Sequence, residues 1–395
     1  MKNNTSKYVM VFLCLCCTTR AFSQVESINK DASILEISSS ALYTDNINPT
    51  VNGQSAATGV SITPHGQLIA TPTYVWFVLD YRAELQQYRL NDNYLLSKNQ
   101  RFNGYQGSLL ARVFLADAWH VDAKFEHNNQ TQQYGSGISR LKSNVLEADQ
   151  LQTNTASARL VYGSDTSTRF VSVNAGIKQD TYQENNSYSA LFNAKQQFVE
   201  ANLSYRYSEA SKIAMQVTSK KDDYEAVSRD DSELIEALIG VEWSPSGKSR
   251  LQLMIGKYQR TFDTAKNSSG VAWNGVFDYA PREDLLISLG TSRTSGSSIS
   301  ETTTDSVTQT VRAKVAYMYS NQWQFTLGAS SANTQFKNNE GVFELDEQQG
   351  QAELILEMND HSKATLAFAL QDVATNDPAF SFRQNKVGMT WHYSF

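Results

Sequence analysis

The sequence predicts an all-β fold, a transmembrane antiparallel up-and-down β-barrel of about 18 strands. Apolar and polar residues alternate with a period of two from residue 33 to the end, which is typical of half-buried strands. Short turns alternate with long polar loops, as in outer-membrane barrels. With 41% hydrophobic residues and a mean hydropathy of -0.43, the chain is too polar for a bundle of spanning helices.

The first 23 residues have the parts of a secretory signal peptide. Two lysines precede the apolar segment at residues 8–17 (YVMVFLCLCC), and residues 21–23 (AFS) fit the small-x-small cleavage rule. All three cysteines of the chain lie in this segment: Cys14, Cys16 and Cys17. We therefore expect a signal peptide (residues 1–23) and one cysteine-free barrel (residues 24–395). An uncleaved anchor helix and a lipoprotein are the alternatives.

Four segments show the alternation most clearly: residues 74–88, 199–207, 310–319 and 386–395. Leu79 and Tyr81, for example, alternate with Asp80 and Arg82. Lipid is expected on the apolar face of each strand, and an aqueous lumen on the opposite face.

Connections of two lengths divide the chain into strands. Short ones lie near residues 71–72, 116–118, 163–167, 208–211, 244–247, 280–283, 320–321 and 359–361. Longer ones lie near residues 45–58, 90–104, 128–152, 181–196, 221–231, 263–269, 292–306, 333–348 and 373–379. This gives 18 strands, or 16 if the weak strands near 59–69 and 364–371 are dropped or merged. A secreted β-sandwich or β-solenoid is the alternative, but neither requires this rhythm.

Aromatic residues beside the short turns predict a girdle at one membrane boundary. They are Trp119, Tyr162, Tyr207, Trp243, Tyr279, Tyr319 and Trp323. The chain also ends in an alternating strand with a terminal aromatic residue. This ending resembles the signal that the barrel-assembly machinery reads. Its residues are Trp391, Tyr393 and Phe395.

The polar faces predict the lining of the lumen. The charged lining residues are Asp80, Arg82, Glu84, Arg112, Asp122, Lys124, Glu126, Arg159, Arg206, Arg250, Arg260, Arg312, Lys314 and Glu353. Both signs occur, which indicates weak selectivity or a neutral or mixed polymer, because rings of one charge set the selectivity of a pore. Alternatively, neighbouring charges pair across strands and brace the wall.

The longest polar stretch, residues 128–153, either folds inward as a constriction or stands outside as a solvated loop. Its richness in Asn and Gln favours the second arrangement. Tyr134, with its amide neighbours, is a candidate contact for a sugar.

Catalytic and metal motifs are missing from the sequence. The five histidines have no metal-ligand spacing, and we find no phosphate loop, nucleophile elbow or zinc motif. His120 and Asp122 share a strand face, but a wall position explains His120 more simply than a dyad does. We expect no enzyme activity, no cofactor and no metal. The net charge of -6 also argues against nucleic acid as a partner.

Several segments resemble the beta-barrel porin 2 family, outer-membrane proteins often linked to exopolysaccharide or capsule operons. The clearest are residues 231–233 (DSE), 238–246 (LIGVEWSPS), 253–257 (LMIGK), Phe262, 272–273 (AW) and 279–282 (YAPR), with residues 43–46 (YTDN) near the start.

The resemblance implies an outer-membrane exit channel of a Gram-negative bacterium for exopolysaccharide or capsular polysaccharide, as in the export of a biofilm matrix. The expected partners are outer-membrane lipid, the barrel-assembly machinery, a periplasmic polysaccharide-export protein and the polysaccharide. The alternatives are a general diffusion porin for small solutes and a closed barrel that serves as a structural or adhesion platform.

Overall fold

The computed structural model describes residues 33–50, 55–72, 74–91, 98–164, 167–183, 186–300, 305–337 and 342–395. The expected signal peptide, residues 1–23, lies outside the described residues. Among the described residues, no helix combines the length and the apolar character that a membrane crossing needs.

Eighteen antiparallel strands account for most of the described residues. They are β1 (Ile34–Thr44), β2 (Ala57–Ala70), β3 (Val75–Leu90), β4 (Asn99–Ala116), β5 (Trp119–Thr131), β6 (Gln150–Tyr162), β7 (Arg169–Tyr182), β8 (Ala194–Ser208), β9 (Ser211–Tyr224), β10 (Ser232–Ser246), β11 (Ser249–Phe262), β12 (Ser268–Arg282), β13 (Leu285–Ser297), β14 (Asp305–Met318), β15 (Trp323–Lys337), β16 (Val342–Asn359), β17 (Ser362–Thr375) and β18 (Phe382–Ser394). Short 3-10 helices in the loops span Gly137–Leu141, Ser189–Phe192 and Pro378–Phe380.

The sheet closes on itself. Each strand pairs with the next along the chain, and β1 pairs with β18 from Glu36↔Ser394 to Thr44↔Lys386. Closure removes the free sheet edges that would leave backbone groups unpaired in lipid. The prediction of an 18-stranded up-and-down barrel is confirmed, and both weak strands form, as β2 and β17.

Several predicted loops are shorter than expected. The stretch at 333–348 is mostly strand, because β15 runs to Lys337 and β16 begins at Val342. The stretch at 90–104 likewise includes the start of β4 at Asn99. At these ends the outer-face positions are mostly polar, and apolar side chains such as Phe102, Phe336 and Leu345 lie on the inner face. This reverses the pattern expected of a lipid-facing strand, so hydrophobic alternation does not indicate strands there.

The register separates two continuous faces. Register partners project to the same side of a sheet, so the row Arg112, Asp122, Arg159, Asn174 and Glu200 shares one face of β4–β8. The register pairs of the remaining strands continue this face around the ring and lead back to the same face of β4. The barrel therefore has two continuous faces. We call the polar side the inner face, because loops that cross the barrel contact it.

The opposite side, the outer face, is apolar and exposed. Ile239, Leu327 and Met389 on this face are each about 60% exposed (59%, 60% and 61%). Large apolar side chains left in the open on every strand would be unfavourable in water, whereas lipid covers such a band.

The predicted girdle residues lie at the end of the barrel that carries the short turns. Trp119 and Tyr162 are register partners with ring centroids 4.8 Å apart. Tyr207, Trp243, Tyr279 and Tyr319 are exposed, and Trp323 is half-buried. Their role as a membrane girdle stays a prediction.

The C-terminal strand brings its aromatic residues together. Ring centroids lie 5.8 Å apart for Trp391 and Tyr393, and 4.9 Å apart for Tyr393 and Phe395. The Phe395 backbone N–H donates to the Leu35 carbonyl at 2.9 Å, which fixes the last residue to β1. Recognition of this ending by the assembly machinery stays a prediction.

The two faces predict opposite responses to one substitution. Leu203 lies on the outer face of β8, and Asn202 beside it lies on the inner face. Leu203→Arg should lower the free energy of unfolding in lipid vesicles by about 2–4 kcal/mol, the cost of arginine near the bilayer centre. Asn202→Arg, the matched control, should change the free energy of unfolding little, because its side chain faces the polar lumen. Equal losses in urea titrations would contradict the assignment of faces.

Candidate functional site

The longest loop crosses the interior of the barrel. We call residues 132–149, between β5 and β6, the inward loop. Lys386 on β18 donates from Nζ to Gln133 Oε1 at 2.6 Å. Arg140 Nη2 lies 2.5 Å from Glu347 Oε2 on β16, which stands across the ring from β5 and β6. The loop therefore spans the lumen and narrows it.

The expectation of a solvated outer loop at residues 128–153 is thus wrong. Ile138 and Val145 are buried, and Leu141 packs beside the cluster of Phe336, Leu345 and Val373 on the far wall. The high Asn and Gln content of the stretch hides these few apolar residues. Their burial stabilises the inward position by about 1.5–3 kcal/mol for each large side chain.

Tyr134 anchors the base of the inward loop. Its ring lies 5.7 Å from the Phe102 ring in a T-shaped contact. Its hydroxyl donates to Gln100 Oε1 at 2.9 Å, with the Leu146 carbonyl oxygen 3.1 Å away as a second acceptor. Burial, helped by the negative charges of Glu147 and Asp149, raises the pKa of Tyr134 to about 12. The phenol therefore stays protonated and keeps donating near neutral pH.

The proposed sugar contact at Tyr134 is also wrong. Only 5% of Tyr134 is exposed, and its hydroxyl is engaged with Gln100. A ring enclosed in this way cannot present a face to a solute.

The first loop supports the inward loop. Asn48 donates from Nδ2 to the Val145 carbonyl at 2.7 Å, and the Val145 N–H donates to Thr50 Oγ1 at 3.1 Å. The backbone N–H of Asn144 donates to the Thr50 carbonyl at 2.6 Å. These bonds satisfy polar groups that the crossing would otherwise bury unpaired.

A second support comes from the loop before β8. Asp149 is buried, and its carboxylate accepts hydrogen bonds from the side chains of Asn186 (2.9 Å), Tyr188 (3.1 Å) and Ser189 (2.7 Å). Three loops therefore form one packed layer at the loop end of the barrel.

The tip of the inward loop is held by a mostly buried ion pair. The Arg140 and Glu347 side chains are 20% and 13% exposed. Glu347 Oε1 also accepts from the amide groups of Gln349 and Gln371, both at 2.7 Å. Sequence reasoning missed Glu347 because it assigned residues 333–348 to a loop. Glu347 lies on the same face of β16 as Glu353, six residues earlier in the chain. Continuing the period-two alternation back from Glu353 would have indicated it.

The predicted lining residues all fall on the inner face by register. They are Asp80, Arg82, Glu84, Arg112, Asp122, Lys124, Glu126, Arg159, Arg206, Arg250, Arg260, Arg312, Lys314 and Glu353. Their contact with a passing solute stays a prediction.

Many of these residues pair with neighbours. Arg112 holds Asp122 through two hydrogen bonds, of 2.7 Å and 2.9 Å. The Lys124–Glu126 pair measures 2.7 Å. The other contacts are Arg260–Asp222 (2.6 Å), Asp80–His65 (3.0 Å), Arg250–Glu242 (3.8 Å), Glu84–Gln86 (2.5 Å), Arg159–Ser172 (3.2 Å) and Arg206 with the Glu209 carbonyl (3.0 Å). Charge pairing thus braces much of the wall.

The carboxylate beside His120 is already engaged by another residue. His120 Nε2 lies 3.9 Å from Asp122 Oδ2, and that carboxylate is engaged by Arg112. Within the described ranges, no group of three acidic, histidine or cysteine residues could hold a metal ion. The expectation of a non-enzyme stays a prediction.

Solved structures share this fold. The chain is similar to Pseudomonas aeruginosa OccK9 (OpdG), with 12% identity, a TM-score of 0.51 and coverage of 92% of this chain and 99% of that one. For Pseudomonas aeruginosa OccK2 (OpdF) the identity is 11%, the TM-score 0.50 and the coverage 92% and 98%. A variant of OccD1 (OprD) has 11% identity, a TM-score of 0.50 and coverage of 94% and 98%.

At these identities the likeness shows the fold. No protein-family model and no curated protein matches the chain, so the resemblance to the beta-barrel porin 2 family stays a prediction. This closed antiparallel barrel with an apolar outer face is an outer-membrane protein of a Gram-negative bacterium, which confirms the predicted location. The short turns then face the periplasm, and the long loops face the outside.

The ion pair at the loop tip predicts a change in conductance. Glu347→Gln leaves Arg140 without its countercharge and should weaken the inward position by up to about 3 kcal/mol. In planar bilayers, single channels should show larger and noisier currents. The swap of Arg140→Glu with Glu347→Arg should restore quiet currents. Identical traces for all three proteins would show that the pair does not hold the loop.

Tyr134→Phe tests the base of the loop. The variant keeps the ring but removes the buried hydroxyl that donates to Gln100 Oε1, at a cost of about 1–3 kcal/mol. Protease cleavage of the inward loop in intact vesicles should become faster. Tyr205→Phe, on the outer face of β8, is the matched control. Equal cleavage rates in all three proteins would contradict the anchoring role.

Proposed function

We propose that this protein is a diffusion porin for small polar solutes. The observation that carries the proposal is the inward loop, which narrows a wide polar lumen. Barrels of this strand number are wide enough for an aqueous channel. An inner face with charges of both signs gives water and polar solutes a hydrated route.

The packing of the inward loop favours a small cargo. The loop is held at its base by Tyr134, along its length by Asn48 and Thr50, and at its tip by Glu347. A solute of monosaccharide size needs only the space beside the loop. A polymer strand would need the loop to leave the lumen, with loss of these contacts.

The family resemblance implies export of exopolysaccharide. We rank this function second, because a polymer strand could pass only if the inward loop left the lumen. The periplasmic export protein and the polysaccharide remain predicted partners of that second function only. A closed adhesion platform ranks third, because charged side chains continue along the inner face below the inward loop.

Reconstituted protein tests the proposal directly. Liposome swelling should be fast with a monosaccharide, slower with a disaccharide and negligible with a tetrasaccharide, because the loop sets the passage. Empty liposomes are the control. An absence of swelling with every sugar would contradict a porin.

A cross-linked loop separates small-solute passage from polymer export. The barrel has no native cysteine after residue 23, so Arg140→Cys with Glu347→Cys can be joined by a short bis-maleimide. Monosaccharide swelling should persist in the joined protein. If joining abolished surface polysaccharide in cells while each single cysteine variant kept it, the export function would replace the porin.

A further inference from the structure

Two cations on β14 face a cavity below the tip of the inward loop. Arg312 and Lys314 lie two residues apart on the inner face, about 7 Å apart along the strand. A cavity of about 440 Å³ is bounded by both, together with Ser288, Ser330 and Gln351. This volume lies within the range of about 300–1,000 Å³ that is typical of small-molecule sites.

The flanking positions leave the cations open to the lumen. Gly290 is the register partner of Arg312 on β13, and a Cβ there would lie 2.4 Å from Arg312 Nε. The guanidinium stem therefore lies over a bare stretch of backbone. Gly328 is the register partner of Lys314 on β15, and the side chain of Gln351 on β16 lies over this glycine. Arg312 and Lys314 are themselves exposed.

Neither cation is neutralised by the protein. Across the part of the chain that the structure describes, Arg312 and Lys314 have no carboxylate within 4.0 Å and no hydrogen bond, whereas Arg112 and Lys124 on β4 and β5 are both ion-paired. Asp278, the acid that also bounds the cavity, accepts a hydrogen bond from Ser288 at 2.7 Å. Two unpaired positive charges so close together favour a bound anion.

Oxygen acceptors, among them the Asp278 carboxylate, line the same wall as the cations. Gln349 donates its amide N–H to Glu347, which leaves its carbonyl oxygen to accept from a solute. Asp278 and Ser330 add further oxygens on the same wall. The cations can bind a carboxylate, and the oxygens can accept hydrogen bonds from hydroxyl groups. A solute that carries both kinds of group matches this wall.

We infer that the wall formed by β12–β16 is a binding site for small hydroxylated carboxylates, such as sugar acids. This inference rests on the proposed porin function and names a solute class for it. Through Gln349 and Glu347, the site adjoins the tip of the inward loop. A solute that passes the loop therefore meets Arg312 first and Lys314 next.

Gluconate and sorbitol form a matched pair of probes, because they share a carbon skeleton and differ in the carboxylate. In planar bilayers, gluconate should block wild-type current with a saturable concentration dependence, and sorbitol should not. The double variant Arg312→Gln with Lys314→Gln should weaken the block by tenfold or more, roughly the loss of one charge-assisted hydrogen bond. Lys124→Gln, which removes an ion-paired inner-face cation of β5, should leave the block unchanged.

Ser330→Glu is a second variant that keeps both cations. It supplies Arg312 with an internal carboxylate and should weaken gluconate block to the same degree. The proposed site would be wrong if gluconate blocked the double variant as strongly as the wild type. It would also be wrong if Lys124→Gln weakened gluconate block as much as the double variant does.

Sorbitol swelling of wild-type liposomes separates the binding site from the porin function. If sorbitol permeates and gluconate block fails, only the binding site is wrong. If sorbitol does not permeate, the porin function itself fails.

Discussion

The pairing of every backbone polar group inside lipid is the constraint on which this structure depends. A chain that crosses as strands must close its sheet, because an open edge would expose unpaired N–H and carbonyl groups. The β1–β18 pairing provides that closure. Closure divides each strand into an outer and an inner face, and the alternating sequence supplies lipid contact on one and a polar wall on the other.

The lumen that closure creates is then narrowed from within. The inward loop brings its own apolar residues, so the barrel gains a small core at its loop end around Tyr134, Val145 and Ile47. Polar groups in this layer are satisfied by Asn48, Thr50 and Asp149. A constriction built this way is held by the packing of neighbouring loops, and it leaves the β12–β16 wall accessible below.

Local pattern was enough to predict the fold. The alternation of Leu79 and Tyr81 with Asp80 and Arg82 requires only neighbouring residues, and the register places these side chains on the expected faces. The loop contacts depend on distant residues. Asn48 and Val145 are separated by 97 positions, and nothing in either segment alone indicates that they meet. The unpaired state of Arg312 is also a property of the assembled sheet.

The conductance of a barrel with a shortened inward loop shows whether this loop is the constriction. Residues 136–143 can be replaced by a short Gly-Ser linker that cannot reach β16. Single-channel conductance should rise and the size limit for neutral sugars should relax, because the loop crosses the lumen. Unchanged conductance and an unchanged size limit would show that the loop is not the constriction.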